Sequence, residues 1–600
     1  MSIHLNHVVV LSKRLYMKEF FKMFGAVMAG LFSWGCLTTI VWIAILSSLV
    51  GGLFNDSDIP LEIEHNSVLK LDLSKSISER SATRYSNLYS AMSASDVELL
   101  GLNDIENALE SAAYDDDISA LYISCTGYNL PDPATAEALR KMILRFKESG
   151  KPVVAFSNSY SNFDYYVATA ADSVYMRKSG NFQLSGLGSQ LMYYKGALDK
   201  FGISAQVIRH GKFKSAVEPF LQETMSEENR SQISAYLSDI WSEIASGISE
   251  SRGIQLDKIE SYANSLELFS DCGLCVSEGF LDGVLLESDV KNCISELVSA
   301  DKPRYLSVKE YCSYLVNTSE AQSRIAVIYA DGELSYEQTE TSFSSTEIVE
   351  SIKSALNDVD VKAVVLRVNS PGGAADEAEV IYSELLKLKD SKPLVVSMGG
   401  YAASGGYYIS APADMIFAEN TTITGSIGVF GLMLSPDKLL KNTLGINLQS
   451  VKTHKHSGFM NFMGDIPSDE VDIMQRSVEQ VYSTFVSHVA EGRGMTFDDV
   501  DAIAQGRVWT GKTALELGLV DEIGSLCDAI DCAAYLADVK SFQLKEYPDV
   551  KDGLSEIFSS LMEASAKAYY GDEIYQQRNF VRRIKSYVGV QALMPASRIY

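Results

Sequence analysis

The sequence predicts an α/β protein built from two tandem copies of one domain behind an N-terminal transmembrane helix. Three observations predict it. Short apolar runs alternate with amphipathic windows, two stretches about 240 residues apart carry the same pattern, and one long N-terminal run has no charge.

Six hundred residues exceed what one hydrophobic core usually supports, so several cores are expected. The formal charge of -27 argues against nucleic acid as a partner, because phosphate binding needs a basic face. Eight cysteines are too few for a disulfide scaffold at this length. Cys272 and Cys275 form a lone CxxC with no second pair or histidine pair beside it, so neither metal nor cofactor is expected.

The uncharged run from Phe24 to Phe54 is longer than the roughly 20 residues a helix needs to cross a bilayer. Lys13, Arg14, Lys18 and Lys22 precede it, and Asp56, Asp58, Glu62 and Glu64 follow it. The positive-inside rule therefore puts residues 1–23 in the cytoplasm and everything after Gly52 outside. A cleaved signal peptide is the alternative, but its apolar core would be about 7 to 15 residues. Gly35-Cys36 faintly suggests a lipoprotein cleavage site, yet Trp34 stands where a small residue is wanted. Met17 opens a more typical anchor start, which makes residues 1–16 an upstream extension of no functional weight.

The duplication runs through many short blocks. Asp117-Ile-Ser-Ala-Leu-Tyr-Ile corresponds to Asp360-Val-Lys-Ala-Val-Val-Leu, and Tyr165-Tyr166 with Ala171-Asp172 corresponds to Tyr407-Tyr408 with Ala413-Asp414. Gly202 matches Gly445, Arg252-Gly253 matches Arg493-Gly494, and Gly279-Phe-Leu-Asp282 matches Gly518-Leu-Val-Asp521. The repeats are placed at 56–318 and 322–545, followed by a tail, 546–600, whose basic residues Arg578, Arg582, Arg583 and Lys585 suggest a peripheral position. Within each repeat, apolar runs such as Ala363 to Val368 read as strands and windows such as Glu347 to Leu356 as helices, the alternation of βα units. Helices then dominate, as from Val471 to Ala490.

Three glycine-rich turns follow predicted strands in the second repeat: Asn369-Ser-Pro-Gly-Gly373, Ala402-Ala-Ser-Gly-Gly406 and Thr424-Gly-Ser-Ile-Gly428. Glycines there let backbone N–H groups approach a ligand. A serine at a strand-to-helix turn, with glycine after it, can expose its hydroxyl beside amides that receive an oxyanion. Ser404 fits that description, with the oxyanion amides assigned to Gly373 and Gly405. Each turn alone reads more readily as an ordinary tight turn. Three in this order carry the weight.

A serine nucleophile needs a base. His4 and His7 fall on the cytoplasmic side, and His65 and His488 read as surface residues far from the turns in sequence. His454 and His456 follow the third turn and could complete a triad within one repeat. A lysine is the other option, provided an apolar pocket lowers its pKa from about 10.4, at roughly 4 kcal/mol for about 3 units. Lys214, within Gly211-Lys-Phe-Lys-Ser-Ala-Val-Glu-Pro-Phe220, is the candidate, against the ordinary reading of a lone lysine as a solvated surface charge.

GKFKSAVEPF, RVNSPGG, YAASGGYYIS, ITGSIGV and GRVWTG, in that order behind an anchor, closely resemble the signal peptide peptidase A (protease IV) family, peptidase family S49, in its long duplicated form. The resemblance covers about residues 56–545. It implies a ClpP/crotonase-like fold, a Ser/Lys dyad, a bowl-shaped homotetramer, and cleavage of signal peptide remnants and other short apolar peptides at the outer face of the membrane, the periplasmic face of an inner membrane. By motif the base is Lys214, the nucleophile Ser404, and Ser426 helps hold the lysine amine.

The repeat alignment constrains the dyad independently. At an offset of 242, Ser404-Gly-Gly406 falls on Asn162-Phe-Asp164, and Cys125-Thr-Gly-Tyr-Asn-Leu130 lacks the paired glycines of the oxyanion turn. At an offset of 243, Lys214 falls on Ser457. Each half lacks what the other keeps, so a working site must straddle two repeats, in one chain or between chains. The expected activity is endopeptidase cleavage through an acyl-enzyme. Two rivals stand beside it: a crotonase-type acyl-CoA enzyme, which would want acidic residues over the site, and a non-catalytic membrane platform.

Overall fold

The computed structural model describes residues 63–84, 97–125, 130–315, 321–549, 589–594 and 598–599, apart from 337–338, 340, 462 and 465. The segments read as cytoplasmic (1–23) and membrane-spanning (24–54) lie outside these residues. Among the described residues no helix is long and apolar enough to cross a membrane.

Two parallel sheets repeat one strand order. The first runs Gly283–Val284, Ser173–Met176, Val153–Ser157, Ile118–Ser124, Ser67–Asp72, Tyr305–Ser307. The second runs Glu522–Ile523, Met415–Ala418, Leu394–Ala403, Val361–Ser370, Arg324–Asp331, Gln543–Tyr547. Their central strands are apolar on both faces, as buried parallel strands must be; Val364, Val365 and Leu366 have no exposure at all. Along the Tyr401–Ala403 end of Leu394–Ala403, the second sheet adds Ile423–Gly425 and then Val508–Thr510.

The residue pairs that revealed the duplication make the same bonds in both halves. Two helices of 26 residues each, Glu227–Arg252 and Ser468–Arg493, end on left-handed Gly253 and Gly494, at φ 65° and 63°. The preceding arginines reach the matching aspartates, Arg252 Nη1 to Asp282 at 2.8 Å and Arg493 Nη1 to Asp521 at 2.9 Å. The Tyr165 and Tyr407 hydroxyls each donate over 2.7 Å to the carbonyls of Phe280 and Leu519. Asp172 and Asp414 accept from the amides of Val153 and Leu394, both at 2.9 Å.

A third sheet joins the halves, in the order Ser342–Phe343, Glu333–Leu334, Gly372–Ala374, Gly589–Leu593, Phe430–Ser435, Ser204–Arg209. Ser204–Arg209 belongs to the first repeat and pairs antiparallel with Phe430–Ser435 of the second along its whole length. Arg578, Arg582, Arg583 and Lys585, on which the peripheral reading of the tail rests, lie outside the described residues, but Gly589–Leu593 beyond them is not peripheral. This part is an interior strand with ladder partners on both sides, and none of Gln591, Ala592, Leu593 and Met594 is more than 5% exposed. Buried polar contacts reinforce the seam between repeats. The Glu137 carboxylate accepts from the Thr421 amide at 2.9 Å, and its neighbour Lys141 pairs with Glu419.

Candidate active site

Ser404 sits where the Leu394–Ala403 strand breaks into the short helix Gly405–Ser410, at φ 57° and ψ −114°, a backbone conformation that a side chain rarely adopts. Its amide is held by the Gly425 carbonyl at 2.8 Å, which ties the second glycine turn to the third. The side chain is fully buried.

Lys214 arrives from the first repeat. Ser204–Arg209 runs along Phe430–Ser435, and the loop beyond it is stapled to the segment carrying Gly506-Arg-Val-Trp-Thr-Gly511. The Phe213 amide donates to the Gln505 carbonyl at 3.0 Å, and Gln232 bridges Ser215 Oγ and the Val508 amide. Lys214 thereby enters with no exposure, and its Nζ lies 2.5 Å from Ser404 Oγ, 3.0 Å from the Ser426 carbonyl oxygen and 3.2 Å from Ser426 Oγ. Burial alone pushes its pKa well below the usual lysine range. Ser426 is itself held at φ 51°, its backbone N–H donating a hydrogen bond to the Arg507 carbonyl at 2.7 Å.

The glycines of the first two turns meet at one point. Gly372 has φ 98°, and a Cβ on it would stand 2.1 Å from the Ala592 carbonyl oxygen and 2.6 Å from the Gly405 nitrogen. A Cβ on Gly405 would lie 3.1 Å from the Gly373 nitrogen and equally close to that oxygen. Gly373 is opposite Ala592, and the Met594 amide donates to the Pro371 carbonyl at 2.8 Å. Bonded pairs alternate along an antiparallel ladder, so Gly373 and Ala592 form a bonded pair, and the Gly373 amide donates to the Ala592 oxygen.

The sequence-predicted residues Ser404, Lys214, Ser426, Gly373 and Gly405 are thus brought together. The histidine alternative is not. His454 Nδ1 meets Thr453 Oγ1 at 3.0 Å and His456 Nδ1 meets Glu470 at 3.0 Å, both on an exposed stretch, while the serine hydroxyl is met by lysine. His488, expected at the surface, is largely buried, stacked on Tyr382 and bonded to Glu379 at 3.0 Å. At the position of Ser404 in the first repeat, Asn162 spends both ends of its amide on a turn, donating to the Gly186 carbonyl at 2.8 Å and accepting from the Ser185 amide at 2.9 Å. Ser457, at the lysine's position in the second repeat, is exposed and accepts from the His454 amide at 3.1 Å. In the CxxC, Cys272 and Cys275 direct their thiols at the Lys178 and Leu268 carbonyls, at 3.5 Å and 3.4 Å, and join no cluster of metal-ligating side chains among the described residues.

Sequence reasoning missed Gly372, Gly506 and the strand Gly589–Leu593. The first two were inside quoted motifs; a tail strand with no glycine turn carries no such mark.

Peptidase family S49 matches the chain twice, at residues 145–300 and 387–540. Protease 4 of Salmonella typhi is 35% identical over 476 residues, covering 77% of this chain and 76% of its own length. Protease 4 of Haemophilus influenzae is 32% identical over 484 residues, 77% of this chain and 78% of its own. The chloroplastic serine protease SPPA of Arabidopsis thaliana is 29% identical over 523 residues, 83% and 74%. A solved point mutant of ClpP1 from Listeria monocytogenes covers 34% of this chain and 94% of its own, at 14% identity and a TM-score of 0.24, a likeness too slight to bear on the fold. The protein is a serine protease of mixed α/β fold with two family-related halves. It belongs to peptidase family S49, which sets aside the acyl-CoA and platform readings.

Proposed function

We propose that Ser404 is the nucleophile and Lys214 the general base of an endopeptidase that cleaves extended apolar peptides, signal peptide remnants among them. The single observation carrying this reading is the buried 2.5 Å approach of Lys214 Nζ to Ser404 Oγ, with no carboxylate among the described residues on the amine. A neutral lysine has two N–H bonds and one lone pair. Ser426 offers two acceptors, its carbonyl and its hydroxyl oxygen, which leaves the lone pair for the serine hydroxyl. Lys214 then takes the serine proton as Oγ attacks the peptide carbonyl, and the Gly373 and Gly405 amides receive the oxyanion. Lysine returns the proton to the leaving amine, then activates the water that releases the acyl group. A serine-directed active-site probe tests this: labelling is expected to vanish in Ser404→Ala and Lys214→Ala and to survive in His454→Ala and His456→Ala. Undiminished labelling of either dyad variant would sink the dyad.

The domain limits (1–23, 24–54, 56–318, 322–545, 546–600), the ClpP/crotonase-like assignment and the extracytoplasmic, membrane-anchored location belong to the same reading. The anchor rests on the uncharged run at 24–54.

Assembly into a homo-oligomer has separate support. Ser204–Arg209 of the first repeat pairs with Phe430–Ser435 of the second. At the 243-residue offset their counterparts are residues 447–452 and 187–192. The former lie outside any strand with Leu448 and Val451 exposed, and of the latter only Ser189–Gln190 is paired, with Arg598–Ile599. Residues 447–452 of one copy against 187–192 of the next would repeat the internal contact head to tail, a geometry that forms a ring when the rotation between copies closes. The number four comes from the family resemblance.

A further inference from the structure

Two helices meet at the seam between the repeats, Leu102–Tyr114 of the first and Leu526–Leu536 of the second. Two bonds cross there: Ser525 Oγ donates to Glu106 Oε1 at 3.0 Å, and Arg145 Nη2 donates to Asp528 Oδ1 at 2.6 Å. Glu106 and Glu110 are one helical turn apart, so their carboxyl groups share a face. Cys527 comes to them from the first turn of the other helix. One oxygen of each carboxyl group and the Cys527 sulfur all lie within 4.8 Å of one another.

Glu106 is the residue that the surrounding bonds leave unexplained. It is 1% exposed, and burial pushes its pKa up to about 7. Its Oε1 takes the Ser525 hydroxyl and, at 3.5 Å, Arg145 Nη1, whereas its Oε2 has no hydrogen-bond partner among the described residues. A buried polar atom in that condition wants a partner. Arg145 is not that partner, because its short bond goes to Asp528. Burial also raises the Cys527 thiol, and the Glu106 and Glu110 carboxyl groups add to the effect. Glu110 is raised in turn by burial and by Asp531. Acidic groups therefore crowd one point around a guanidinium already committed elsewhere.

A thiolate beside carboxylates selects among cations. Magnesium and calcium take oxygen ligands, whereas zinc accepts sulfur and oxygen together. Zinc binds sulfur at about 2.3 Å and carboxylate oxygen at about 2.0–2.2 Å, so the ligand atoms around it stand roughly 3.5 Å apart. The side chain of Glu110 is exposed and has room to swing inward over the remaining distance of about 1 Å. A cleft of about 540 Å³, lined by Arg145, Asp528 and Asp531 among others, adjoins the cluster and gives an ion a way in.

We propose that Glu106, Glu110 and Cys527 bind one zinc ion, with water in the fourth position, and that this ion clamps the first repeat to the second. Two ligands come from one repeat and the third from the other, across the same pairing of repeats that brings Lys214 to Ser404. On binding, the Cys527 sulfur releases its proton to solvent and forms the Zn–S bond. Glu106 binds through Oε2 as a carboxylate and keeps Ser525 on Oε1. The ion stays divalent throughout. Glu106 and Cys527 are 421 positions apart, a separation that no short ligand motif records.

The test uses the full chain, purified in detergent, stripped with a chelator and dialysed against zinc chloride or cobalt chloride. Wild type is expected to hold one zinc per chain by elemental analysis, and its cobalt form to show thiolate-to-cobalt charge-transfer absorption. Cys527→Ala and Glu106→Gln are each expected to weaken zinc binding by about 100-fold or more, with circular dichroism showing a folded chain. A Cys272→Ala/Cys275→Ala variant is expected to keep both the zinc and the absorption. Zinc is expected to raise the melting temperature of wild type and not that of Cys527→Ala. Wild type that retains no zinc, or whose cobalt form lacks the thiolate band, overturns the site. Zinc that survives Cys527→Ala, or that leaves with the Cys272 and Cys275 thiols, also overturns it. Zinc that binds without raising the melting temperature overturns the clamp.

Discussion

Gly506 packs against Lys214 so closely that a Cβ on the glycine would stand 2.6 Å from the lysine Cβ and 2.7 Å from its backbone nitrogen. The contact explains why a turn 292 positions downstream of the lysine belongs to its pocket: φ at Gly506 is 79°, and only a residue without a side chain leaves room for the amine to reach Ser404. Gly506→Ala is therefore expected to displace Lys214 and reduce probe labelling by about 100-fold, since a shift of roughly 1 Å at reacting atoms has that effect. Circular dichroism should show a folded chain with stability lowered by about 1–3 kcal/mol, the usual result of overpacking. Full labelling in this variant would show that the lysine position is not set here.

A neutral Lys214 would have two consequences for pH. Its folded-state pKa is depressed by burial, so the acid limb of kcat/KM is expected well below the ordinary lysine value of 10.5. The unfolded chain keeps this proton up to about 10.4 while the folded chain has already released it. Unfolded chain thus binds more protons throughout that window, and the stability contribution of Lys214 rises with pH across it. Lys214→Met removes the penalty and is expected to be more stable than wild type at neutral pH, by a margin that shrinks as pH climbs toward 10. Denaturant melts at several pH values check this; a margin that grows with pH would contradict a buried neutral amine.

Arg367 and Glu79 form the most buried ion pair described, Nε to Oε2 at 2.7 Å with side chains 6% and 5% exposed. Arg367 also donates to Ser397 Oγ at 2.8 Å and the Met398 carbonyl at 3.0 Å, so it fastens the residue 79 segment across the second sheet. Glu79→Ala leaves a buried guanidinium without its counter-charge, and about 3–5 kcal/mol of destabilisation is expected by thermal or urea unfolding. The double variant Glu79→Leu/Arg367→Met should recover most of it, because the stranded charge rather than the lost bond dominates the cost.

The parts of this site that could be read from residues alone were those with strong local constraints. Ser404 and the glycines beside it stand at turns whose backbone demands restrict the residue, and the dead positions Asn162 and Ser457 were visible because duplication supplies an internal reference. The doubling of the fold was readable for the same reason: Arg252 with Asp282 and Arg493 with Asp521 are equivalent bonds, not merely equivalent letters. What could not be read was pairing between distant segments. Val590 to Met594, apolar except for Gln591, is a short run of the kind any surface tail can carry, and its seat between Gly372–Ala374 and Phe430–Ser435 depends on main-chain bonds that side-chain pattern does not encode. His488 was misplaced for a related reason, since its burial comes from stacking on Tyr382 across two helices rather than from its own neighbours.

The head-to-tail assembly turns on one exposed stretch. Val451 is fully exposed, at 103%, and Leu444, Ile446 and Leu448 around it are each more than half exposed, an apolar strip that isolated chains rarely leave to water. If residues 447–452 pair with 187–192 of a neighbouring copy as Ser204–Arg209 pairs with Phe430–Ser435, a charge at Val451 must be buried in that contact. Val451→Asp is expected to shift the protein to a smaller species by sedimentation or light scattering in detergent. Internal pairing of the repeats is untouched by this change, and Lys214 and Ser404 meet within one chain, so probe labelling per chain should fall by no more than about twofold. A variant that keeps its wild-type mass would rule out this edge as the contact. One that dissociates and also loses labelling would show that the neighbouring copy helps hold the lysine loop in place.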